Sequence, residues 1–351
     1  MKRYILYFFA LIFTQDVLAQ ATGTFEGVPV TINGLNYYLD EEHQEALLGN
    51  GNIWEGELQL PSVVQYNGKD YSLTRIGWLA FAFCETLTGI KIPATVREIH
   101  HYASNDDCKN PFIGCTALKT IEVDKDNRWM YSVDGVLFNK EKTWLYAYPA
   151  GVEQASYEVP NVVTTIGGDA FSDNIYLRTV TMPNSVTRMC FGVFSGCRNL
   201  ESVRLSESLT HIEAYTFDNC ANLRVIDIPK SVSSFSEGIF RWTHLDALIV
   251  RGTFSKELRS DTFYNVSESM TIYAQPSEIS KFKKVFSGTV LPLGDYVDGI
   301  SAPSIINRKS VNSKFFDLSG RQIPHSSFLD HQSPIKPGIY IRDGKKVVVG
   351  K

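Results

Sequence analysis

"GCRNLESVRL", residues 196–205, returns 23 residues later as "NCANLRVIDI", residues 219–228. Cysteine, asparagine and leucine keep step, and branched apolar residues follow them in both copies. Phenylalanine extends the interval along the chain. Phe81, Phe112, Phe171, Phe194, Phe217, Phe240 and Phe263 are separated by 31, 59, 23, 23, 23 and 23 residues. Four equal steps in succession predict stacked units, because an internal period of about 20 to 50 residues belongs to repeat architectures.

The unit reads V-x-x-I-x-x-x-A-F-x-x-C-x-x-L-x-x-I-x-I-P, most cleanly in "SLTHIEAYTFDNCANLRVIDIP" with Leu209, Ile212, Phe217, Cys220, Leu223, Ile226, Ile228 and Pro229. Its end alternates, so Ile226 and Ile228 face one way and Asp227 the other, as in a strand. Pro229, like Pro93 and Pro183, closes the strand where a missing N–H is tolerated. The pair Val186 and Met189 starts the return side. One such rung buries too little apolar surface to offset the ordering of its own backbone, so neighbouring rungs must share a core and pair their strands. The fold class is therefore a β-rich repeat solenoid of units about 23 residues long, with short turns.

These units resemble the BspA-like leucine-rich repeats of secreted and surface bacterial proteins. The residues that carry the resemblance are "LTRIGWLAFAFCETLTGIKIP" (73–93), "VTTIGGDAFSDNIYLRTVTMP" (163–183) and the unit quoted above. "MYSVDGVLFNKEKTWLYAYPAGV" (130–152), between Phe112 and Phe171, is similar to the hairpin module of that family. Read from its residues, it is strand, Asp134-Gly135 turn, strand, with Val136 and Phe138 alternating before Leu145, Tyr146 and Tyr148. The chain departs from the pattern in three places. Asn174 replaces the cysteine, Ser206 follows Leu205 where proline is expected, and the Phe240 unit is one residue short before Leu245.

The expected organisation is a signal peptide over 1–19, a β-rich N-terminal cap over 20–72 and repeats over 73–275 with a hairpin insertion at about 124–160. A linker over 276–300 and a small C-terminal β domain over 301–351 complete it. Lys2 and Arg3 precede an uncharged run from Tyr4 to Phe13, too short to span a bilayer but suited to a signal-peptide core. Small residues permit cleavage after Ala19 or Ala21. "NG" turns in "VTINGLNYYL" and "VVQYNGKDYSLTRIG" predict hairpins in the cap. "KFFDLSGRQI" and "PGIYIRDGKKVVVGK" each read as strand, turn, strand, with Ile339 and Ile341 expected opposite Val347 and Val349. This end resembles the C-terminal sorting or attachment domains of Bacteroidetes secreted proteins; a plain hairpin cap on the solenoid is the other reading.

Cys84, Cys115, Cys197 and Cys220 hold the repeat's cysteine position and are expected to point inward as small apolar side chains. Cys108 and Cys190 lie off the pattern; Cys108 with Cys115 is the pair expected if a disulfide forms. "HHYASNDDC" (100–108) gathers His, Asp and Cys without zinc spacing, and "DKDN" (124–127) lacks the glycine and terminal glutamate of a calcium loop. No nucleotide-binding, hydrolase or zincin motif is present, so no metal, cofactor or catalytic residue is expected. A net charge of -4 offers no general attraction to nucleic acid.

The outward strand positions are the candidate partner-binding residues. The residue after the repeat leucine is in turn Thr88, Lys119, Arg178, Glu201, Arg224 and Asp246; a second column runs Lys91, Glu122, Thr181, Arg204, Asp227 and Ile249. At a strand spacing of about 4.8 Å, Glu201 should sit between Arg178 and Arg224, and Arg204 beside Asp227. The expected function is an exported, non-enzymatic interaction protein of the cell surface, displaying a rigid sheet to a protein partner. The resemblance implies host matrix or another cell-surface protein as that partner. The competing expectation, a glycan-binding accessory, would need an exposed aromatic platform, for which Trp129, Trp144 and Tyr148 are the concentrated candidates.

Overall fold

The computed structural model describes residues 27–77, 79–100, 110–255 and 257–296, together with the backbone of four C-terminal strands. The expected signal peptide, Cys108 and all but the first residue of "HHYASNDDC" lie outside the described residues.

Each rung is a coil with two parallel strand ladders. The longer ladder runs through Ser156–Glu158, Thr179–Thr181 and Ser202–Arg204, then Val225–Ile228, Ala247–Val250, Thr271–Ala274 and Thr289–Pro292. Earlier rungs add Gly56–Gln59, Leu87–Ile92 and Thr120–Val123. The shorter ladder carries two-residue strands such as Arg188–Met189 and His211–Ile212. Thr179, Val180 and Thr181 pair with Ser202, Val203 and Arg204, an offset of one repeat. Alternation then decides burial: Ile226 and Ile228 are buried while Asp227 between them is half-exposed.

Phenylalanine rings form the spine. Phe171 to Phe194, Phe194 to Phe217, Phe217 to Phe240 and Phe240 to Phe263 have centroids 5.3, 5.7, 5.8 and 6.3 Å apart at interplanar angles of 24, 9, 5 and 13°. These are offset stacks with both faces of most rings buried. Their backbone joins in: the N–H of Phe171 donates to Val193, that of Phe194 to Thr216 and that of Phe217 to Ile239, at 3.0, 2.9 and 2.9 Å. The one-residue deletion before Leu245 is absorbed beside the spine. Val225 pairs with Ala247, one residue short of a period, while Phe240 keeps its place in the stack.

The long gap between Phe112 and Phe171 is filled by Tyr148, one period before Phe171. Its ring stacks on Phe171 at 5.2 Å and 29°, and its N–H donates to Ala170 at 2.7 Å. The hairpin of the insertion, Met130–Val133 with Val136–Asn139, precedes this extra rung. Asp134 and Gly135 have φ of 49 and 79°, as a two-residue hairpin turn requires. Ser156–Glu158, expected within the insertion, belongs to the long ladder. Buried asparagines close the backbone where the repeat is interrupted. Asn174 donates to the carbonyls of Pro149 and Val152 at 3.1 and 3.3 Å and accepts from the N–H groups of Tyr176 and Leu177 at 2.9 and 2.8 Å. Cysteine could not supply both donors, which explains the departure there. Ser206 is also buried, its hydroxyl accepting from the Ser208 N–H at 3.1 Å.

Three expectations are corrected. The N-terminal boundary moves, because Gly56–Gln59 pairs in parallel with Leu87–Ile92 and so forms a rung before residue 73. Its neighbouring cap strands, Val28–Ile32, Leu35–Asp40, Glu45–Leu48, Val63–Tyr66 and Lys69–Gly77, form one sheet over the first rungs. Residues 276–296 are no linker. Helix Ile279–Val285 buries Phe282, whose ring meets Phe254 at 5.6 Å and 83°, so the parallel stack ends in tilted rings that close the core. At the far end Ile339 pairs with Val348 and Ile341 with Lys346, in a register that sets Arg342 against Lys345. Strand Phe315–Asp317 pairs with Gln322–Ile323 and with Gly338–Arg342.

Candidate functional site

The outward columns of the long ladder form a charge-paired face. Lys91 meets Glu122 at 3.2 Å, Lys119 meets Glu153 at 2.8 Å, Arg178 meets Glu201, and Arg224 meets Asp246 at 3.2 Å. All eight side chains are exposed. The expected order changes in two respects. Glu201 serves Arg178 alone, because Arg224 turns to Asp246 on the following rung. Asp227 is held by Arg251, whose Nε and Nη2 donate to its two carboxylate oxygens at 2.7 and 2.6 Å, rather than by Arg204. A planar guanidinium just past the end of the next strand fits both oxygens, and Arg204 stays exposed without an ion pair among the described residues. Thr88 and Thr181 complete the columns as half-buried residues.

The face does not stay open to its end. Ile249, opposite Asp227, is buried with Ala247 and Tyr273 beneath Leu291, Leu293 and Tyr296. Tyr273 and Tyr296 meet edge to face at 5.0 Å. The segment leaving the array therefore folds over the outer side of the last strands.

Inside, the repeat cysteines form a hydrogen-bonded column. The thiols of Cys115, Cys197 and Cys220 donate to the carbonyls of Phe81, Phe171 and Phe194 at 3.0, 3.0 and 3.2 Å. Cys84 donates to Trp54 at 3.3 Å, and its sulfur accepts the Trp54 N–H. Cys190 is also buried. Burial pushes the thiols of Cys115, Cys197 and Cys220 up, which keeps them protonated and poor nucleophiles. Among the described residues, no group of three or more His, Cys, Asp or Glu side chains is placed to hold a metal.

The turn edge, beside the phenylalanine spine, has different chemistry. Phe83, Gly114, Asp173, Gly196, Asn219, Trp242 and Asn265, each two residues after a repeat phenylalanine, all have φ between 50 and 77°. Such backbone suits Gly, Asn and Asp and disfavours bulky side chains. Asp169 and Asp173 use the room left by glycines: a Cβ on Gly192 would lie 2.2 Å from Asp169 Oδ1, and one on Gly196 2.3 Å from Asp173 Oδ1. Burial lifts the Asp173 carboxyl to about 6; Arg198 opposes the shift, and Asp218 and Glu85 add to it. Burial, helped by Asp173, also lifts the Asp169 carboxyl well above its ordinary value.

Of the three aromatic residues singled out in the insertion, Tyr148 is buried in the spine and Trp144 is half-buried against Tyr146 at 5.7 Å. Only Trp129, 46 % exposed, faces solvent. The exposed rings lie elsewhere: Trp242 is 57 % and Tyr264 60 % exposed, on the turn edge.

Parallel ladders, a ring spine, inward cysteines and end caps define a leucine-rich repeat protein. The chain belongs to the family of the BspA type leucine-rich repeat region, whose model matches in six copies over residues 67–132 and 146–284. Its structure is similar to the pneumococcal vaccine antigen PcpA, at 16 % identity and a TM-score of 0.45 over 76 % of this chain and 98 % of that one. It is similar too to a leucine-rich cell surface protein of Faecalibacterium prausnitzii, at 17 % identity and a TM-score of 0.44 over 77 % and 100 %. A leucine-rich repeat protein of Bacteroides ovatus aligns at 22 % identity and a TM-score of 0.41 over 75 % and 76 %. No curated protein matches the sequence.

Proposed function

We propose that this chain is an exported, non-enzymatic interaction protein of the cell surface that presents its long parallel ladder to a protein partner. The observation that carries the reading is the outer face itself: successive strands in fixed register hold Lys91, Lys119, Arg178, Arg204 and Arg224 among Glu122, Glu153, Glu201 and Asp246, all exposed. A face ordered before binding loses little conformational freedom on contact. Alternating charge selects a complementary surface and rejects mismatched ones. Membership of the BspA type repeat family supports a binding role, and the basic, apolar and small-residue pattern of residues 1–21 supports export. Among the described residues no helix is long and apolar enough to cross a membrane.

The test is a triple charge reversal, Arg178→Glu, Arg204→Glu and Arg224→Glu, assayed on immobilised collagen, laminin and fibronectin and on intact host cells. Loss of capture with unchanged circular dichroism and melting supports the reading. Capture equal to that of the unaltered chain ends it.

A further inference from the structure

The turn edge of three successive rungs carries a patch that serves neither the core nor the strand face. Asp218, Arg241 and Tyr264 each follow a stacked phenylalanine and so fall in one column. Arg241 is its centre. Its Nε and Nη2 donate to the two carboxylate oxygens of Asp218 at 2.9 and 2.7 Å, and its guanidinium lies 4.8 Å from the centroid of the Tyr215 ring. Tyr215 is itself seated over Gly238, where a Cβ would come within 2.7 Å of its Cε1. Two partners thus fix the guanidinium, and its Nη1 has no acceptor among the described residues. The same edge carries Trp242 and Tyr264, the two most exposed aromatic residues among those described, with the Trp242 backbone N–H donating to the Asn265 carbonyl at 3.3 Å.

Trp242 occupies the left-handed column at φ 59°, where Gly114, Asp173, Gly196, Asn219 and Asn265 supply residues suited to that backbone and Phe83, 42 % exposed, is the other bulky ring. A bulky, exposed ring is disfavoured by such a backbone, and with the exposed Tyr264 on the same edge it points to a use outside folding. We propose that Tyr215, Arg241, Trp242 and Tyr264 form a binding site for a neutral carbohydrate chain.

Three features select that ligand. Exposed aromatic rings accept the C–H faces of sugars, and a fixed guanidinium on the same edge donates to hydroxyls or ring oxygens. Charge disfavours polyanions: Asp218 neutralises Arg241, and Asp261 and Glu237 both bind Arg259, so carboxylates outnumber guanidinium groups across the patch. Size disfavours a protein interface. The patch spans two inter-rung steps of about 4.8 Å, while a stable protein contact needs about 800 Å² per partner. The preceding rung offers only Gly192, Ser195 and Gly196 at the matching places. The site uses none of the strand-face charges, so it stands or falls apart from the function proposed above.

The experiment prints short neutral oligosaccharides (glucans, mannans, galactans, xylans), sulfated glycans and the matrix-protein panel on one array. It is probed with the full chain and with Trp242→Asn and Tyr264→Ser. The expected result is retention on at least one neutral class and a loss of about tenfold or more in apparent affinity in each variant. Trp242→Asn should melt no lower than the parent, which separates binding from folding. No neutral glycan retained, retention on sulfated glycans alone, or unchanged affinity in both variants overturns the proposal. So does loss of matrix-protein capture in these variants, which would assign the patch to a protein.

Discussion

The strand face and the turn edge belong to the same rungs and solve opposite problems. On the strand face, most charges find their opposite one rung away, as with Lys91 and Glu122 or Arg224 and Asp246. On the turn edge, the backbone is forced into left-handed positions, and most side chains in that column follow backbone need, with Phe83 and Trp242 breaking the rule. The first surface is regular because pairing between neighbours stabilises it. The second is informative where it stops being regular. Both hang on one spine of stacked rings, so the sharpest way to break the comparison is to remove a ring.

Phe217→Ala should be the most damaging change. The ring is fully buried between Phe194 and Phe240, and deleting such a side chain costs about 3–5 kcal/mol. Chemical denaturation should show that loss, with the strand-face and turn-edge ligands released together as the rungs separate. An intact strand face over a disordered turn edge would show that the two do not share a support.

Asp173 sharpens the contrast within the turn edge. Its carboxyl is lifted to about 6 from an ordinary value of 3.8, so the folded state holds this proton more tightly than the unfolded chain. The resulting stabilisation is complete below about pH 4, declines as pH rises through 6, and is absent above it. Two pK units set a ceiling of about 3 kcal/mol, and solvent screening of a half-buried group brings the expectation to about 1–2 kcal/mol. Asp173→Asn, which tolerates the same backbone, should therefore raise the melting temperature at pH 7.5 and make no difference at pH 4. An advantage that persists at pH 4 would place its cause elsewhere.

Tyr148 tests whether the insertion belongs to the spine or to the surface. Its hydroxyl is buried with no hydrogen-bond partner among the described residues, and burial pushes its pKa up to about 12. Tyr148→Phe keeps the ring on Phe171 and removes a desolvated hydroxyl, so a gain of up to about 1 kcal/mol is expected in thermal melts. A loss would mean that the hydroxyl has a partner.

The spine was readable because it depends on residue identity at a fixed interval. Phe171 to Phe263 and Cys197 with Cys220 must recur for rings and thiols to stack, so periodicity exposed them. Tyr148 could have been found by counting one period back from Phe171; a tyrosine in a phenylalanine column and a hairpin before it hid the rung. Glu153 and Arg251 were missed because they lie off the two columns, in the turn before a strand and just past one, where side-chain reach rather than register makes the pair. The Arg241 patch left no contiguous signal, since its members come from four positions on three rungs. The left-handed column was written mostly in Gly, Asn and Asp, but only backbone geometry makes one class of them with Phe83 and Trp242.

Trp242→Asn measures the strain on the turn edge. Asparagine visits left-handed backbone routinely and tryptophan rarely, so the variant should gain about 0.5–1 kcal/mol. A loss of stability would show that the exposed ring packs productively.

The smallest effect belongs to the strand face. Arg178 and Glu201 are both about half exposed and joined across one rung. An exposed pair gains little because water screens the attraction and two long side chains lose freedom in meeting, and measured values fall at about 0.2–1 kcal/mol. A double-mutant cycle with Arg178→Met and Glu201→Gln should therefore return a coupling of no more than about 0.5 kcal/mol, weaker still in high salt. If the pairs contribute so little to stability, their repetition along the face is not explained by folding. A coupling above about 1 kcal/mol would reverse that conclusion and make the charged columns part of what holds the rungs together.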